Sequence, residues 1–386
     1  MHKNLQFDFS TSPRILFGWD SIKELPAVAS AYGKQVLLLH SKSVREIGSI
    51  KQSLEAVGCS VSAQIFHGEP SDAGLEHLME QYRHAGIDVL IGIGGGSVLD
   101  AGKALSALMA NPGDLMDYLE VVGRGMKFEH APLPFIAVPT TAGTGSEVTR
   151  NAVIKVESQH VKVSMRAVAM IPRVALVDPA LTCGVPPAVT ASTGMDAFIQ
   201  VIEPYCSNST NAMVDMFCRE GIPLAANNLS LAYHESQNRV AREHMAWVSL
   251  LGGLSLANAK LGAVHGFAGP LGGMFDVPHG VICACLLPQV FRMNAQKVRA
   301  SGDENLIARF EDIAAWVLPN GRRSIEDAVE WFKALNETLS IPRLAALGIH
   351  PAEHAKIIEK SLVSSSMKGN PVQLTEGDLR TILENS

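Results

Sequence analysis

The sequence is poor in charge and in aromatic side chains, and it has no C-x-x-C pair. Charged residues make up 18% of the 386 positions and aromatics 6%. The six cysteines are Cys59, Cys183, Cys206, Cys218, Cys283 and Cys285. None shows the spacing of a zinc ribbon or a redox dithiol. Cys283 and Cys285 lie in an apolar run and read as small core residues, which suits a reducing compartment. A basic run is also missing. The net charge is −6 and the isoelectric point about 6.1, so nothing in the charge pattern calls for a nucleic-acid partner. No 18-residue uncharged apolar stretch occurs, and the richest, GVICACLLPQVF (280–291), is too short to span a bilayer. The N-terminal MHKNLQFDFSTSPRILFG alternates in character and lacks the apolar centre of a secretory signal. These absences lead to the expectation of a cytoplasmic globular protein, with no membrane and no nucleic acid among its partners.

Hydrophobic residues reach 47%, and the chain is too long for one ordinary core, so two domains are expected. The first half alternates strand and helix. QVLLLHS (35–41), SVSAQIFHG, DVLIGIGGGS and PFIAVPTT read as strands. IKQSLEAVG, GLEHLMEQYRHAG and VLDAGKALSALMA read as the helices between them. That order predicts an α/β domain with a Rossmann-like parallel sheet covered on both faces. Beyond about residue 186 helical periods take over, from PAVTASTGMDAFIQVIEPY through EGDLRTILEN. The expectation is a nucleotide-binding α/β domain over 1–182 and an all-α, metal-binding domain over 183–386, joined through DPALTCGVPP (178–187).

Three stretches carry chemistry. IGIGGGSVLDAGKAL (91–105) is a strand, a glycine turn and a helix start. Its backbone can approach a phosphate closely, and its helix N-terminus offers free N–H groups, with Ser97 available as a cap. The spacing departs from G-x-G-x-x-G and follows a later strand, so the turn alone is weak evidence. VPTTAGTGSEVT (138–149) packs the hydroxyls of Thr140, Thr141, Thr144, Ser146 and Thr149 into a loop after a strand, suited to a polar ligand. STGMDAFIQVIE (192–203) places Asp196, Gln200 and Glu203 on one helix face. With His265 and His279 downstream, Asp196 makes a carboxylate–imidazole–imidazole set for a divalent transition metal, to which Gln200 can add an amide oxygen. Phe267, Met274 and Phe275 could wall a substrate or simply fill core.

GGGSVLDAGKAL, PTTAGTGSEVT, VDPALT, TGMDAFIQVIEPYCS, GAVHGFAGPLGG, PHGV and GNPVQLTEGDL, in that order, resemble the iron-containing (group III) alcohol dehydrogenase family over nearly the whole chain. The resemblance implies hydride transfer between NAD(P) and a small alcohol, aldehyde or ketone. It places Gly95, Gly96 and Ser97 at the pyrophosphate, and Asp100 with Thr140–Thr149 toward the nicotinamide. It puts Lys162 near the cofactor and Leu181 on its adenosine side. The metal ligands it implies are Asp196, Gln200, His265 and His279, with Asp196, His265 and His279 as the catalytic centre. The family commonly has a histidine where this chain has Gln200, and often a second one where it has Gly269. Related glycerol dehydrogenases manage with one Asp and two His. The amide leaves the metal open among Fe²⁺, Zn²⁺, Mn²⁺ and Co²⁺. Ser41 followed by Lys42 at the end of the first predicted strand, where NAD-preferring relatives often carry an acid, leans toward NADP. A homodimer is expected, using the strand LQFDFS. The alternatives are a maleylacetate reductase-like enzyme, a dehydroquinate synthase-like lyase, or a nucleotide-binding relic with an impaired metal site.

Overall fold

The structure is a computed structural model that describes residues 6–159 and 161–386. The chain falls into two compact units. One holds Ser10–Thr141 and Gly145–Cys183; the other holds residues 6–9, Ala142–Thr144 and Gly184–Ser386. The hydroxyl-rich loop is thus shared, with Thr144 on the helical unit and Thr140, Thr141, Ser146 and Thr149 on the other.

The first unit contains β1 (Arg14–Phe17), α1 (Leu25–Ser30), β2 (Gln35–Ser41), α2 (Ile47–Ala56), β3 (Ser60–Phe66), α3 (Asp72–Tyr82), β4 (Val89–Gly94), α4 (Gly96–Ala110), the short α5 (Leu115–Tyr118), β5 (Phe135–Pro139), β6 (Asn151–Val156), β7 (Val161–Arg166) and β8 (Val174–Val177). Six of these strands form one parallel sheet in the order β1-β8-β5-β4-β2-β3. In the central strands alternate residues serve opposite faces. Leu37, Leu39 and Leu90 join a core with α3 and α4, while Val36, Leu38 and Ile91 join a second core with α1 and α2. On the first face α4 presses hard on the sheet: a Cβ at Gly102 would lie 2.4 Å from the Phe135 ring.

β6 and β7 form an antiparallel hairpin apart from the main sheet. Ala152, Ile154 and Val156 point inward and Val153 and Lys155 outward, the alternation of a half-buried strand. Sequence reading passed over this hairpin, along with β1 and β8. It also expected a strand in LQFDFS. Gln6–Ser10 pairs with no strand of its own chain, and Leu5 lies outside the described residues. An extended segment without a neighbouring strand has no ladder to join.

The helical unit contains α6 (Pro187–Cys206), α7 (Ala212–His234), α8 (Arg239–Asn258), α9 (Ala263–Met274), α10 (His279–Ser301), α11 (Glu304–Val317), α12 (Ile325–Thr338), α13 (His354–Leu362) and α14 (Glu376–Glu384). Glycine and Pro270 break up the apolar pattern of α9, and Pro288 sits inside α10. Tertiary burial overrides these local penalties: Val264, Phe267, Leu271, Ile282, Leu286 and Leu287 are all in the helical core. No single described helix is long and apolar enough to cross a membrane.

Candidate functional site

Helix α6 is buried along most of its length, so its polar residues need partners. Asp196, Gln200 and Glu203 are 3%, 3% and 7% exposed. Glu203 has three contacts. Its Oε1 accepts from the Val264 N–H at 2.7 Å, and its Oε2 accepts from the His265 N–H at 3.4 Å and faces His265 Nδ1 at 2.7 Å. These groups belong to the first turn of α9, whose N-cap, Gly262, has no side chain to offer. Glu203 therefore caps a neighbouring helix and supplies the negative charge its dipole favours. Asn370, from the GNPV segment, accepts the Ala263 N–H at 3.1 Å and exchanges hydrogen bonds with Asn294 on α10 at 2.7 and 3.0 Å. Two long-range side chains thus set the position of the turn that carries His265.

With Nδ1 held by Glu203, His265 directs Nε2 to Asp196 Oδ1 at 3.2 Å. The third group arrives on α10, where His279 is the first residue after the N-cap Pro278. Gly280 allows the approach: a Cβ there would stand 1.9 Å from the Ser192 carbonyl oxygen of α6. His279 Nε2 lies 3.8 Å from Asp196 Oδ1, and the two imidazole rings are 5.4 Å apart. One turn further along α10, Cys283 brings Sγ to 3.6 Å from His279 Nε2. One donor atom from each of Asp196, His265, His279 and Cys283 lies within 4.8 Å of all the others.

The charges in this cluster are coupled. Burial alone would raise the Asp196 carboxyl, but the hydrogen bond from His265 and the nearby His279 hold it below its ordinary value. Burial likewise disfavours protonated His265. The Cys283 thiol, Asp196 and Glu203 outweigh that and push it well above the ordinary imidazole value. Desolvation by its neighbours opposes protonation of His279, whose side chain is 45% exposed, but Cys283 and Asp196 raise it above the ordinary imidazole value. Cys283 is lowered against its burial by the two histidines. Protons held among clustered anions and imidazoles are what a divalent cation displaces on binding. Gln200 also helps to hold the Asp196 carboxyl down, and its Oε1 is buried with no partner, a spare neutral acceptor beside the cluster. One carboxylate oxygen, two imidazole nitrogens and a sulfur, with an amide oxygen to spare, fit a divalent transition metal.

The sequence-predicted nucleotide residues divide into two groups. Ser41 ends β2, Gly95 and Gly96 open α4 at the end of β4, and Thr140 and Thr141 follow β5. All lie at the carboxyl ends of three adjacent parallel strands. The Thr140 N–H bonds to the Gly94 carbonyl at 2.9 Å, and the Thr141 hydroxyl would be 3.4 Å from a Cβ on Gly95. After β2 the chain turns outward to β3; after β4 it turns the other way, to β5. The strand order therefore reverses between β2 and β4, the crevice where open parallel sheets bind ligands. Ser97 does not cap α4: the N-cap is Gly95 and no side chain satisfies the first N–H groups, because Ser97 already lies inside the first turn.

Asp100, Ser146, Thr149 and Lys162 are engaged internally. Asp100 accepts from the Ser146 hydroxyl at 2.6 Å and the Val153 N–H at 2.9 Å, and pairs with Lys103 at 3.0 Å. Lys103, wholly buried, also donates to Thr149 Oγ1 at 3.0 Å and to the Asn151 carbonyl. Lys162 pairs with Glu69 at 2.7 Å. Leu181 packs against the sheet core that includes α1 and α2. Thr144 is exposed on the helical unit, where its neighbour Gly143 donates its N–H to Ser249 Oγ at 2.8 Å. Phe267 is fully buried in the core, while Met274 and Phe275 are half-buried. A Cβ at Gly269 would meet nothing within 4 Å, so that position is open space one turn from His265.

Two participants escaped sequence reading in their full role. Glu203 was placed on the right face without a partner, and the only signal for one was a buried acid on an apolar helix. Cys283 was read as core. It is buried, but its sulfur faces the imidazoles, and its spacing of four from His279 was the available signal.

The sequence matches the family described as "Iron-containing alcohol dehydrogenase" over residues 12–179, and "Fe-containing alcohol dehydrogenase family, C-terminal" over residues 190–386. It is 35% identical over 370 residues to a 1,3-propanediol dehydrogenase of Klebsiella pneumoniae, covering 92% of each chain. Alcohol dehydrogenase 4 of Saccharomyces cerevisiae is 33% identical over 387 residues, covering 98% of each. Among solved structures, a 1,3-propanediol oxidoreductase superposes with a TM-score of 0.88 at 32% identity, covering 98% of this chain and 99% of the other.

Proposed function

The chain belongs to the iron-containing alcohol dehydrogenase family, and from that premise we propose that it moves a hydride between NAD(P) and a small alcohol or its carbonyl partner, at a divalent metal held by Asp196, His265 and His279. Membership makes it an oxidoreductase of the metal-dependent alcohol dehydrogenase class. The observation that carries the residue assignment is the convergence of one carboxylate and two imidazoles from α6, α9 and the start of α10, with a buried carboxylate behind His265.

When bound, the metal supplies Lewis acidity toward the substrate oxygen, and the nicotinamide supplies the redox chemistry. The protein does the rest. Glu203 keeps a proton on His265 Nδ1, so Nε2 is the nitrogen presented beside Asp196. Gln200, one turn further along α6, favours the ionised form of the Asp196 carboxylate. Burial of Asp196 and His265 keeps water from competing for their donor atoms.

The open first turn of α4 and its glycines support binding of the cofactor pyrophosphate there. At the end of β2, Ser41 beside Lys42 offers a hydroxyl and a cation where an acid would repel a 2′-phosphate, which supports use of NADP. A homodimer belongs to the same reading, with light scattering as its check.

The test is metal analysis of protein purified without chelator, followed by addition of Fe²⁺, Zn²⁺, Mn²⁺ or Co²⁺ while NADPH or NADH absorbance is followed with a panel of aldehydes. Turnover that requires metal, with metal lost in His265→Ala, is the expected result. Full metal content in His265→Ala would overturn the ligand assignment. Absence of turnover with every metal would leave the nucleotide-binding relic. Ser41→Asp should weaken NADP⁺ binding more than NAD⁺ binding; equal effects on both would remove the basis for the NADP preference.

A further inference from the structure

We propose that Cys283 is a metal ligand, completing with Asp196, His265 and His279 a four-residue oxygen–nitrogen–nitrogen–sulfur centre, and that Gln200 supports Asp196 rather than binding the ion. This rests on the reading that the three residues hold a divalent metal.

The spacing is the first argument. A tetrahedral ion with bonds of ~2.1 Å to nitrogen or oxygen and ~2.3 Å to sulfur separates its N/O donors by ~3.4 Å and holds N and S ~3.6 Å apart. Asp196 Oδ1 lies 3.2 Å from His265 Nε2 and 3.8 Å from His279 Nε2, and Cys283 Sγ lies 3.6 Å from His279 Nε2. These separations bracket the expected edges.

The surroundings of the thiol are the second argument. Cys285, two residues on, satisfies its S–H with the Pro342 carbonyl at 2.9 Å, as a structural thiol should. The Cys283 sulfur, fully buried, lies 3.6 Å from His279 Nε2 and within 4.8 Å of a His265 ring nitrogen instead. Helix α10 presents His279 and Cys283 four residues apart on one face, and the Gly280 contact with the Ser192 carbonyl fixes that face against α6.

Charge is the third. A divalent ion bound directly by Asp196 as its one anionic ligand keeps a positive charge within that ligand set, offset only from behind His265 by Glu203. A thiolate donor neutralises the set of direct ligands, the thiol proton leaving to solvent as the ion enters. Gln200 offers only a neutral oxygen, which leaves the charge of the ligand set unchanged. A sulfur donor shifts the site toward zinc and cobalt and away from manganese and magnesium.

The experiment loads metal-free protein with Co²⁺ for absorption spectroscopy and with Zn²⁺ for X-ray absorption at the zinc edge. The expected result is a sulfur-to-cobalt charge-transfer band in the near ultraviolet and one sulfur scatterer at ~2.3 Å from zinc. Cys283→Ser should lose the band and weaken zinc binding at least as much as loss of a supporting residue does, roughly 10–100-fold. Gln200→Ala should keep the band. Metal bound by oxygen and nitrogen alone, or a band that survives Cys283→Ser, overturns the cysteine assignment and leaves the three-residue centre standing. Failure of the parent protein to bind either metal overturns both. If Cys283→Ser does not fold, the parent's zinc-edge spectrum still decides.

Discussion

Replacing Glu203 by glutamine changes one atom, yet the structure predicts a loss in both stability and metal affinity. The two carboxylate oxygens do different work. Oε1 takes the Val264 N–H at 2.7 Å, while Oε2 faces His265 Nδ1 at 2.7 Å. Both positions need an acceptor, and a glutamine has only one. If its oxygen stays on Val264, its NH₂ confronts Nδ1, which must then give up its proton and accept. The proton moves to Nε2, the atom that faces Asp196, and the lone pair a metal needs is gone. Hydrogen bonds to a buried charged group contribute ~1.5–3 kcal/mol each, so the metal-free variant should lose about 2–4 kcal/mol of stability. Losing the partner of a ligating histidine should weaken zinc binding roughly 10–100-fold, or about 1.4–2.7 kcal/mol. Urea unfolding of metal-free protein and zinc titration against a chromophoric chelator measure the two effects. Glu203→Ala should be worse in unfolding, since it leaves the Val264 N–H and His265 Nδ1 with no buried acceptor. A Glu203→Gln protein with the parent's unfolding midpoint and zinc affinity would refute the idea that this carboxylate both caps α9 and sets the tautomer of His265.

Three further outcomes follow from the α/β unit and the strain within it. Glu147 is buried, and burial raises its carboxyl to about 7 against an ordinary 4.5, with its own backbone N–H and Lys103 pulling the other way. The folded state therefore holds this proton more tightly than the unfolded chain. The contribution is fully present below pH 4.5 and is lost as pH rises through about 7. Relative to Glu147→Gln, the parent should lose about 3 kcal/mol over that window, at ~1.4 kcal/mol per pH unit; a pH-independent difference in urea unfolding would contradict it. Asp100→Asn removes the anion beside the wholly buried Lys103 and should destabilise by about 3 kcal/mol, read by thermal and urea unfolding. An unchanged midpoint would mean that Lys103 is balanced by its carbonyl and hydroxyl partners alone. Gly102→Ala places a methyl 2.4 Å from the Phe135 ring and should cost about 1–3 kcal/mol despite alanine's better helix propensity, with zinc affinity unchanged.

Much of the α/β unit was legible because its strands advertise themselves. Gln35–Ser41 and Val89–Gly94 are unbroken apolar runs bounded by turns, and they emerged as central strands of the parallel sheet. The hairpin of β6 and β7 was not legible in the same way. Its six-residue strands show their alternation only in half-buried positions, beside a loop dominated by hydroxyls and glycine. In the helical unit, long periodic segments such as Ala212–His234 were plain, whereas Ala263–Met274 was masked by its glycines and Pro270. Ser41, Gly95, Gly96, Thr140 and Thr141 share one end of the sheet. Asp100, Ser146 and Thr149 take part in the bonds around Lys103, because a fully buried ammonium must find partners wherever the fold offers them.

The sequence by itself determined the alternation of β2 to β5 with α2 to α4, the division into an α/β and a helical part, and the shared face of Asp196, Gln200 and Glu203. Local periodicity and chain order are enough for that. Only the tertiary structure decided that Glu203 turns to the first turn of α9, that the Cys283 sulfur looks at two imidazoles, and that the Gln200 oxygen has no partner. These depend on distances between side chains far apart along the chain. Whether a buried acid, amide or thiol faces hydrocarbon or another polar group is set by how helices pack, through close contacts such as Gly280 against the Ser192 carbonyl, which leave no trace in the spacing of residues on any one helix.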